Sequence, residues 1–256
     1  MSIEAPVILV VDDEEDICRN LADILGDIGC EVDTANDGAT ALEMVRRKPY
    51  DVALLDVRMP GMNGIDLCQA IRSVRPGTVA ILVTAFGGTG LADQAMEVGA
   101  WQVLSKPVDL PILLRLVDEA AGQPMILVVD DDRDLCRNLW DLFRERGYRT
   151  SMAHDLEEAE TRLREGSFGL VLIDMKLPSS TGVSVLRLVR TTSPAARTVL
   201  ITGHRPETDD LIQEALRNGA DAVCYKPLDM SSLFDAVQSL TRSGPGRSAS
   251  PGEGAP

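Results

Sequence analysis

The residues best suited to chemistry in this chain occur twice. One set carries two adjacent carboxylates, a lone carboxylate, a hydroxyl and an amine, separated by long intervals. Four members recur at an offset of 118 residues and the lysine at an offset of 120. The first copy is Asp12, Asp13, Asp56, Thr84 and Lys106, and the second is Asp130, Asp131, Asp174, Thr202 and Lys226. A repeat of this length indicates two similar domains.

Three carboxylates brought together repel one another unless a cation joins them. A hard divalent cation with oxygen ligands, most simply Mg²⁺, is the natural partner. With two carboxylates holding the ion, the third could attack phosphorus and form an acyl phosphate. The amine and the hydroxyl would then offer a positive charge and a hydrogen bond to the phosphoryl oxygens. The repeated set therefore predicts a phosphate-handling site in each copy.

Short β-branched runs alternate with amphipathic helical patterns in both copies. In the first copy the predicted strands cover residues 7–11, 31–35, 51–55, 79–83 and 101–104, and the predicted helices cover 14–28, 38–47, 64–74, 91–98 and 110–121. The second copy repeats this order, with strands near 126, 149, 170, 198 and 222 and helices starting near 132, 156, 182, 207 and 230. Such alternation predicts an α/β protein made of two consecutive doubly wound, five-stranded parallel-sheet domains of the flavodoxin-like (βα)5 type.

The predicted strands explain how the distant side chains meet. In a doubly wound parallel sheet, ligands bind at the carboxyl ends of the strands. The acidic pair Asp12–Asp13 follows strand one, Asp56 follows strand three, Thr84 follows strand four and Lys106 follows strand five. Each residue alone has an ordinary structural interpretation, such as a helix cap or a turn residue. Their order and their duplication instead favour a single site in each copy that these residues share.

Composition bounds the remaining possibilities. The net charge of −15 argues against a nucleic-acid surface and against an anionic membrane as partner. No run reaches the ~20 apolar residues of a membrane span, and the first residues do not resemble a signal peptide. We therefore expect a cytoplasmic protein. The predicted domains cover residues 5–121 and 124–241, and the Gly/Pro/Ser-rich tail 242–256 is predicted to be disordered.

The cysteines and histidines give weak signals. Five cysteines without a CxxC motif indicate neither a disulfide framework nor a zinc site. Cys18 and Cys136 are equivalent in the repeat, and we interpret them as small apolar side chains within helices. His154 and His204 are not equivalent to each other, and neither is expected to bind metal or to act in catalysis.

Four motifs together resemble the receiver domain of two-component response regulators. They are Val-Val-Asp-Asp at 10–13, Leu-Leu-Asp-Val-Arg-Met-Pro-Gly-Met-Asn-Gly at 54–64, Val-Thr-Ala at 83–85 and Ser-Lys-Pro at 105–107. The resemblance covers both copies and leaves aside only the tail. It implies a response regulator with two tandem receiver domains and no output domain.

The resemblance also implies roles for individual residues. The phosphoacceptors would be Asp56 and Asp174. The Mg²⁺ ligands would be Asp12, Asp13, Asp56 and the main-chain carbonyl of Arg58 in the first copy, and Asp130, Asp131, Asp174 and the carbonyl of Lys176 in the second. Asp13 and Asp131 would bind the ion directly, and Asp12 and Asp130 largely through water. The phosphoryl group would be stabilised by Thr84 and Lys106, or by Thr202 and Lys226. The Lys-Pro bonds would commonly be cis.

One departure from the family pattern concerns the conformational switch. The family usually has an aromatic residue three positions before the lysine, where this chain has Val103 and Val223. The switch residues implied are therefore Thr84 with Val103 and Thr202 with Val223. Trp101 lies two positions before Val103, so strand alternation predicts the same face of the sheet.

The resemblance implies a phosphorelay protein that accepts phosphoryl groups from a histidine kinase or a histidine phosphotransfer protein. It would then act on a downstream protein by direct contact, with no nucleic acid and no membrane as partner, and a homodimer stays open. One alternative is a phosphate sink or relay intermediate. Another is an aspartyl-phosphate phosphatase, although such enzymes carry an Asp-x-Asp motif after strand one. A split role, with only one domain phosphorylated, would favour the first domain because its acceptor loop is the more typical.

Overall fold

The computed structural model describes residues 5–85, 89–203 and 206–242. Contacts divide the chain into two compact units. Of the described residues, one unit contains 5–85, 89–123 and 137–151, and the other contains 124–136, 152–203 and 206–242. Each of the two predicted domains supplies one five-stranded sheet.

The first sheet contains strands β1 to β5 in the order β2-β1-β3-β4-β5, and its registered pairs are parallel. The elements in chain order are β1 Val7–Val11, α1 Glu15–Asp27, β2 Glu31–Ala35, α2 Gly38–Arg47, β3 Val52–Asp56, α3 Gly64–Val74, β4 Val79–Thr84, α4 Thr89–Glu97, β5 Gln102–Ser105 and α5 Leu110–Gly122.

The second sheet repeats this topology, with the order β10-β9-β8-β6-β7. Its elements are β6 Met125–Val129, α6 Arg133–Glu145, β7 Arg149–Ala153, α7 Leu156–Glu165, β8 Phe168–Asp174, α8 Gly182–Thr192, β9 Arg197–Gly203, α9 Pro206–Arg217, β10 Ala222–Lys226 and α10 Met230–Arg242. Read from the second strand of each copy, both sheets have the order 2-1-3-4-5. The predicted fold class is confirmed.

The predicted boundaries agree with the structure within one or two residues. Helices α2 and α3 begin and end where the apolar spacing places them. Strand β3 runs one residue further than predicted and includes Asp56, while β5 begins one residue later, at Gln102. Shifts of this size are ordinary at the ends of elements. The backbone of Asp56 is therefore part of the sheet itself rather than of the loop that follows it.

The central strands are buried because helices cover both faces of each sheet. All five residues of β3 are buried, and so are the last four of β1. Alternate residues of β1 supply two separate apolar clusters, with Leu9 in one and Ile8 in the other. Apolar runs of this kind are typical of parallel strands buried on both faces. The rigid core thus carries the strand ends where the site residues lie.

Two expectations concern the extremes of the fold. Among the described residues, no helix is long and apolar enough to cross a membrane. The last described residue is Arg242, at the end of α10, so the predicted disordered tail lies outside the described residues apart from that position. The same holds for His204.

Candidate functional site

The acidic pair lies where β1 ends and α1 begins. The main-chain amide of Asp12 donates to the carbonyl of Ala35 at 3.2 Å, which continues the β1–β2 ladder by one residue. One carboxylate oxygen of Asp12 accepts from the amide of Glu14 at 3.0 Å. Asp12 is buried, whereas Asp13 is exposed. The pair therefore offers one fixed carboxylate and one that faces solvent, and Asp130 and Asp131 repeat the arrangement.

The predicted phosphoacceptor Asp56 is the buried last residue of β3. Its Oδ2 accepts from the amide of Arg58 at 2.7 Å, so the turn after the strand fixes the carboxylate. Gly64 packs against the same residue, because a Cβ at that position would lie 2.2 Å from the carbonyl oxygen of Asp56. Only glycine allows α3 to begin so close to the acceptor.

Asp174 has the same surroundings in the second sheet. The amide of Lys176 donates to its Oδ2 at 2.9 Å. A Cβ on Gly182 would lie 2.7 Å from the carbonyl oxygen of Asp174. The repeated glycine in the sequence thus has a steric cause in both copies.

Lys106 joins the acidic pair to the acceptor. Its Nζ lies 2.7 Å from Oδ2 of Asp12 and 2.7 Å from Oδ1 of Asp56. The main-chain amide of Lys106 donates to the carbonyl of Thr84 at 2.7 Å, which ties the end of β5 to the end of β4. The bond to Pro107 is cis, as the resemblance implies. Charged groups from three separate strands therefore meet at one edge of the sheet.

Lys226 makes the corresponding contacts in the second sheet. Its Nζ lies 2.8 Å from Oδ2 of Asp130 and 3.0 Å from Oδ1 of Asp174. The bond to Pro227 is also cis. We call Asp12, Asp13, Asp56, Thr84 and Lys106 the first site, and Asp130, Asp131, Asp174, Thr202 and Lys226 the second site.

Burial and pairing act in opposite directions on the charged groups. Burial disfavours the charge on Lys106, but hydrogen bonds to Asp12 and Asp56 outweigh it, so the pKa of Lys106 is raised. The pKa of Lys226 is raised for the same reasons. Burial raises the pKa of Asp174, and the hydrogen bond from Lys226 offsets that effect only in part. The second site therefore holds its acceptor carboxylate at a cost that a further cation would relieve.

The donor atoms of the second site fit a hard divalent cation. Carboxylate oxygens of Asp130, Asp131 and Asp174 all lie within 4.8 Å of one another, and no other trio in the described part of the chain does so. Oxygen donors at this spacing suit Mg²⁺ or Ca²⁺ rather than a soft metal. The first site carries the same residue types in the same order, although its three carboxylates are less closely gathered.

The two threonines are buried at the ends of their strands. Thr84 ends β4 and pairs with Ser105 of β5. Thr202 pairs with Tyr225 of β10, and its hydroxyl donates to the carbonyl of Gly203 at 3.2 Å. Both lie one residue beyond the strand partner of the acceptor, since Asp56 pairs with Val83 and Asp174 with Ile201.

Val103 and Val223 are partly buried. Val103 packs against the apolar cluster that contains buried residues of β3, and Val223 packs against the cluster that contains buried residues of β8. Trp101 instead packs against the opposite cluster, which includes Leu104. The expectation that Trp101 shares a face with Val103 is wrong, because Trp101 precedes β5 and strand alternation does not apply to it. The side chains of Trp101 and Val103 therefore contact different apolar clusters.

Sequence reasoning missed two pairs of residues near the acidic pairs. Nδ2 of Asn36 donates to the main-chain carbonyl of Asp12 at 3.2 Å, and Sγ of Cys18 lies 3.3 Å from that oxygen. In the second copy Nδ1 of His154 lies 3.1 Å from the carbonyl oxygen of Asp130, and Sγ of Cys136 lies 3.3 Å from it. Asn36 and His154 are separated by 118 residues, and so are Cys18 and Cys136. This shared offset is the signal that could have identified them.

Comparison with known proteins agrees with this geometry. The family model of the response regulator receiver domain matches residues 8–118 and 126–238. The "Response regulator receiver protein Anae109_2439" of Anaeromyxobacter sp. (strain Fw109-5) is 33% identical over 234 residues, which cover 91% of this chain and 94% of that protein. The response regulator protein PilR of Pseudomonas aeruginosa is 40% identical over 112 residues, which cover 44% of this chain and 25% of PilR.

A solved structure of the chemotaxis protein CheY4 of Vibrio cholerae is 31% identical, with a TM-score of 0.44, and covers 45% of this chain and 98% of that one. Two successive matches to one family model, together with the duplicated sheet and site, define the class. The chain belongs to the response regulator receiver family and carries two tandem receiver domains of two-component phosphorelay signalling.

Proposed function

We propose that both sites accept a phosphoryl group, on Asp56 and on Asp174, from the phosphohistidine of a histidine kinase or a histidine phosphotransfer protein. The observation that carries the proposal is the lysine bridge. In each copy one ammonium group contacts both the buried residue of the acidic pair and the candidate acceptor, at 2.7 to 3.0 Å. A cation placed there offsets negative charge where a phosphoryl group would be transferred.

The transfer balances as a displacement at phosphorus. A carboxylate oxygen of Asp56 forms a bond to phosphorus while the phosphorus–nitrogen bond of the donor breaks. The histidine keeps the electron pair and takes up a proton, and the receiver is left with an acyl phosphate. Lys106 is already in contact with the acceptor, and the Thr84 hydroxyl at the next strand end would donate to the transferred group. Lys226 and Thr202 would do the same for Asp174.

Mg²⁺ would be held by the acidic pair, the acceptor and the main-chain carbonyl two residues beyond it, and it would supply positive charge to the transferring oxygens. In the second site these ligands are Asp130, Asp131, Asp174 and Lys176, and in the first they are Asp12, Asp13, Asp56 and Arg58. In the second site, the clustering of the three carboxylates supports this assignment. The main-chain amides of Arg58 and Lys176 would orient the acceptor carboxylates.

The output is proposed to be contact with a downstream protein. The net charge of −15 disfavours nucleic acid, and both matched segments are receiver domains. Receivers act on their own aspartate rather than turning over a separate substrate, so we do not assign an enzyme activity. An adaptor role and a phosphate-sink role differ in the lifetime of the acyl phosphate, since a sink must lose its phosphoryl group quickly.

The test is the intact mass of the full chain after incubation with Mg²⁺ and acetyl phosphate. We expect up to two phosphate increments for the wild type and at most one for Asp56→Ala or for Asp174→Ala. Asp23→Ala and Asp235→Ala, which remove exposed carboxylates from helices, are the matched controls and should behave as the wild type. EDTA should abolish both increments.

The distribution of increments separates the alternatives. A single increment lost in only one acceptor variant would show one working receiver and one adaptor domain. Absence of any increment, with a kinase-driven reaction also negative, would refute phosphotransfer at these sites. The decay of the increments after removal of donor gives the lifetime that distinguishes an adaptor from a sink.

A further inference from the structure

The main chain of each acidic pair is held by side chains that the receiver chemistry does not use. The carbonyl oxygen of Asp12 faces two donors, Nδ2 of Asn36 at 3.2 Å and Sγ of Cys18 at 3.3 Å. The carbonyl oxygen of Asp130 faces Nδ1 of His154 at 3.1 Å and Sγ of Cys136 at 3.3 Å. The same oxygen is therefore approached from the same two directions in both copies.

The position of these donors follows from the β-ladder. The amide of Asp12 bonds to the carbonyl of Ala35, and that of Asp130 bonds to Ala153 at 3.1 Å. A regular parallel ladder would next give the Asp carbonyl a main-chain amide from the neighbouring strand. The chain turns away after Ala35, because Asp37 becomes the N-cap of α2. The Asn36 side chain supplies a donor to the carbonyl that the turning chain leaves at the strand end.

In the second copy, His154 takes this position. It follows Ala153 as Asn36 follows Ala35, and Asp155 is the N-cap of α7. A contact with a carbonyl oxygen requires a proton on Nδ1, so this tautomer of His154 is the one that fits. Asparagine and histidine share a donor nitrogen at the same distance from the main chain. Asn36 and His154 therefore make the same contact with the main-chain carbonyl, although their residue types differ.

We infer that Asn36 and His154 are positioning residues that fix the acidic pairs for cation binding. Each locks the peptide unit between the two acidic residues, and the direction of the exposed Asp13 or Asp131 side chain depends on that peptide. Cys18 and Cys136 contact the same oxygen from the first helix of each copy. This inference rests on the proposed function, since it concerns the Mg²⁺ that the carboxylates would hold.

The inference is tested by calorimetric titration of the full chain with MgCl₂ alone. The Asp131→Asn background leaves the first site to be measured. In that background we expect Asn36→Ala to raise the Kd for Mg²⁺ by about 3- to 10-fold, at or below the low end of the effects seen when partners that orient metal ligands are removed. Asn36→His, which places the second copy's residue in the first, should stay within about twofold of the background protein.

The reciprocal experiment measures the second site in the Asp13→Asn background. There we expect His154→Ala to weaken Mg²⁺ binding and His154→Asn to preserve it. Gln69→Ala and Gln238→Ala are the controls, since both side chains are exposed on helices away from the sites. The urea midpoint of each variant shows whether the fold is retained. If the role is purely structural, the alanine variants should have a lower urea midpoint. Their Kd for Mg²⁺ should then show no rise that the Asn/His exchange reverses.

The outcomes distinguish the two proposals. If the background proteins bind Mg²⁺ and Asn36→Ala and His154→Ala bind it as tightly as the glutamine controls, the positioning role is wrong while the receiver function stands. If the wild type itself gives no Mg²⁺ binding, the metal site of the proposed function fails, and the positioning role fails with it. Weaker binding in both alanine variants, rescued by the exchanged residue, supports the inference.

Discussion

The crowding of carboxylates in the second site predicts that neutralising the acceptor stabilises the metal-free protein. The carboxylates of Asp130 and Asp174 approach within 4.8 Å, and at an effective dielectric constant of about 20 their repulsion is at least roughly 3.5 kcal/mol. The opposing attraction between Lys226 and Asp174 acts over 3.0 Å, which at the same dielectric constant is roughly 5.5 kcal/mol before screening by the solvent that reaches the partly exposed lysine, so the Coulomb energies alone do not fix the sign.

The loss of hydration on burial then decides the sign. Burial raises the pKa of Asp174 above its ordinary value of 3.8, so the ionised form is disfavoured in the folded protein. Exposed Asp131 adds further, screened repulsion. We therefore expect Asp174→Asn in EDTA at pH 7 to raise the free energy of unfolding by about 1 to 2 kcal/mol, which is within the range of single stabilising substitutions.

The pH dependence carries the same sign. A carboxylate whose folded pKa is raised destabilises the fold at pH values above that pKa. The effect fades as the pH falls through the folded pKa, and below about 3.8 the group is protonated in both states. The advantage of Asp174→Asn should therefore be full at pH 7 and vanish below about pH 4.

The assay is thermal unfolding of the full chain in EDTA, with Asp235→Asn as a control that neutralises an exposed carboxylate of α10. A gain of 1 to 2 kcal/mol corresponds to a rise of about 3 to 10 °C in the midpoint for a domain of this size. Mg²⁺ should reverse the ranking, because a concentration of about one hundred times its Kd stabilises the wild type by about 2.7 kcal/mol, more than the gain expected of the variant. A variant less stable than the wild type in EDTA at pH 7 would refute the reasoning.

Three further predictions concern other contacts of the sites. Lys106→Met should lower the free energy of unfolding in EDTA by about 1 to 3 kcal/mol, because it leaves two buried carboxylates unneutralised. Lys48→Met, which removes two partly exposed ion pairs, to Glu31 and to Asp33, should cost about 1 kcal/mol or less. Urea titration measures both. Gly64→Ala should lower the free energy of unfolding by about 2 kcal/mol or more, because its Cβ would lie 2.2 Å from the acceptor carbonyl. Gly26→Ala, with open space around it in α1, should raise the free energy of unfolding by up to about 1 kcal/mol. Cys136 should resist iodoacetamide at pH 8 in the native protein, since burial raises the pKa of its thiol to about 12; rapid labelling by peptide mass would contradict its burial.

The sequence was sufficient to predict the order of the helices and strands and the meeting of the distant site residues at one edge of each sheet. The repeat aligned each acidic, hydroxyl and amine side chain with the end of a strand, and parallel strands bring their carboxyl ends together. The sequence therefore predicts Asp56 and Lys106 at the same edge of the sheet. Their 2.7 Å contact additionally requires the long lysine side chain to reach past β4, which lies between their strands.

Other features depend on contacts that residue types conceal. Asn36 and His154 occupy the same position, but a search for identical residues passes over them. Cys18 was interpreted as apolar filler, and its sulfur nevertheless points at a main-chain carbonyl. Trp101 was assigned to the wrong face because the alternation of a strand was extended past its first residue. In each case the deciding fact is where the backbone leaves regular structure.

The charge balance of the second site gives a reason for a cation beyond analogy with the family. Three carboxylates and one ammonium group leave a formal charge of −2 in the metal-free site. The phosphoryl group of an incoming donor carries about −1.5 to −2, so the metal-free site repels the group that it would receive. A divalent cation on the three carboxylates would bring the site to neutrality before transfer. In the proposed transfer, this cation would supply positive charge that Lys226 alone does not provide.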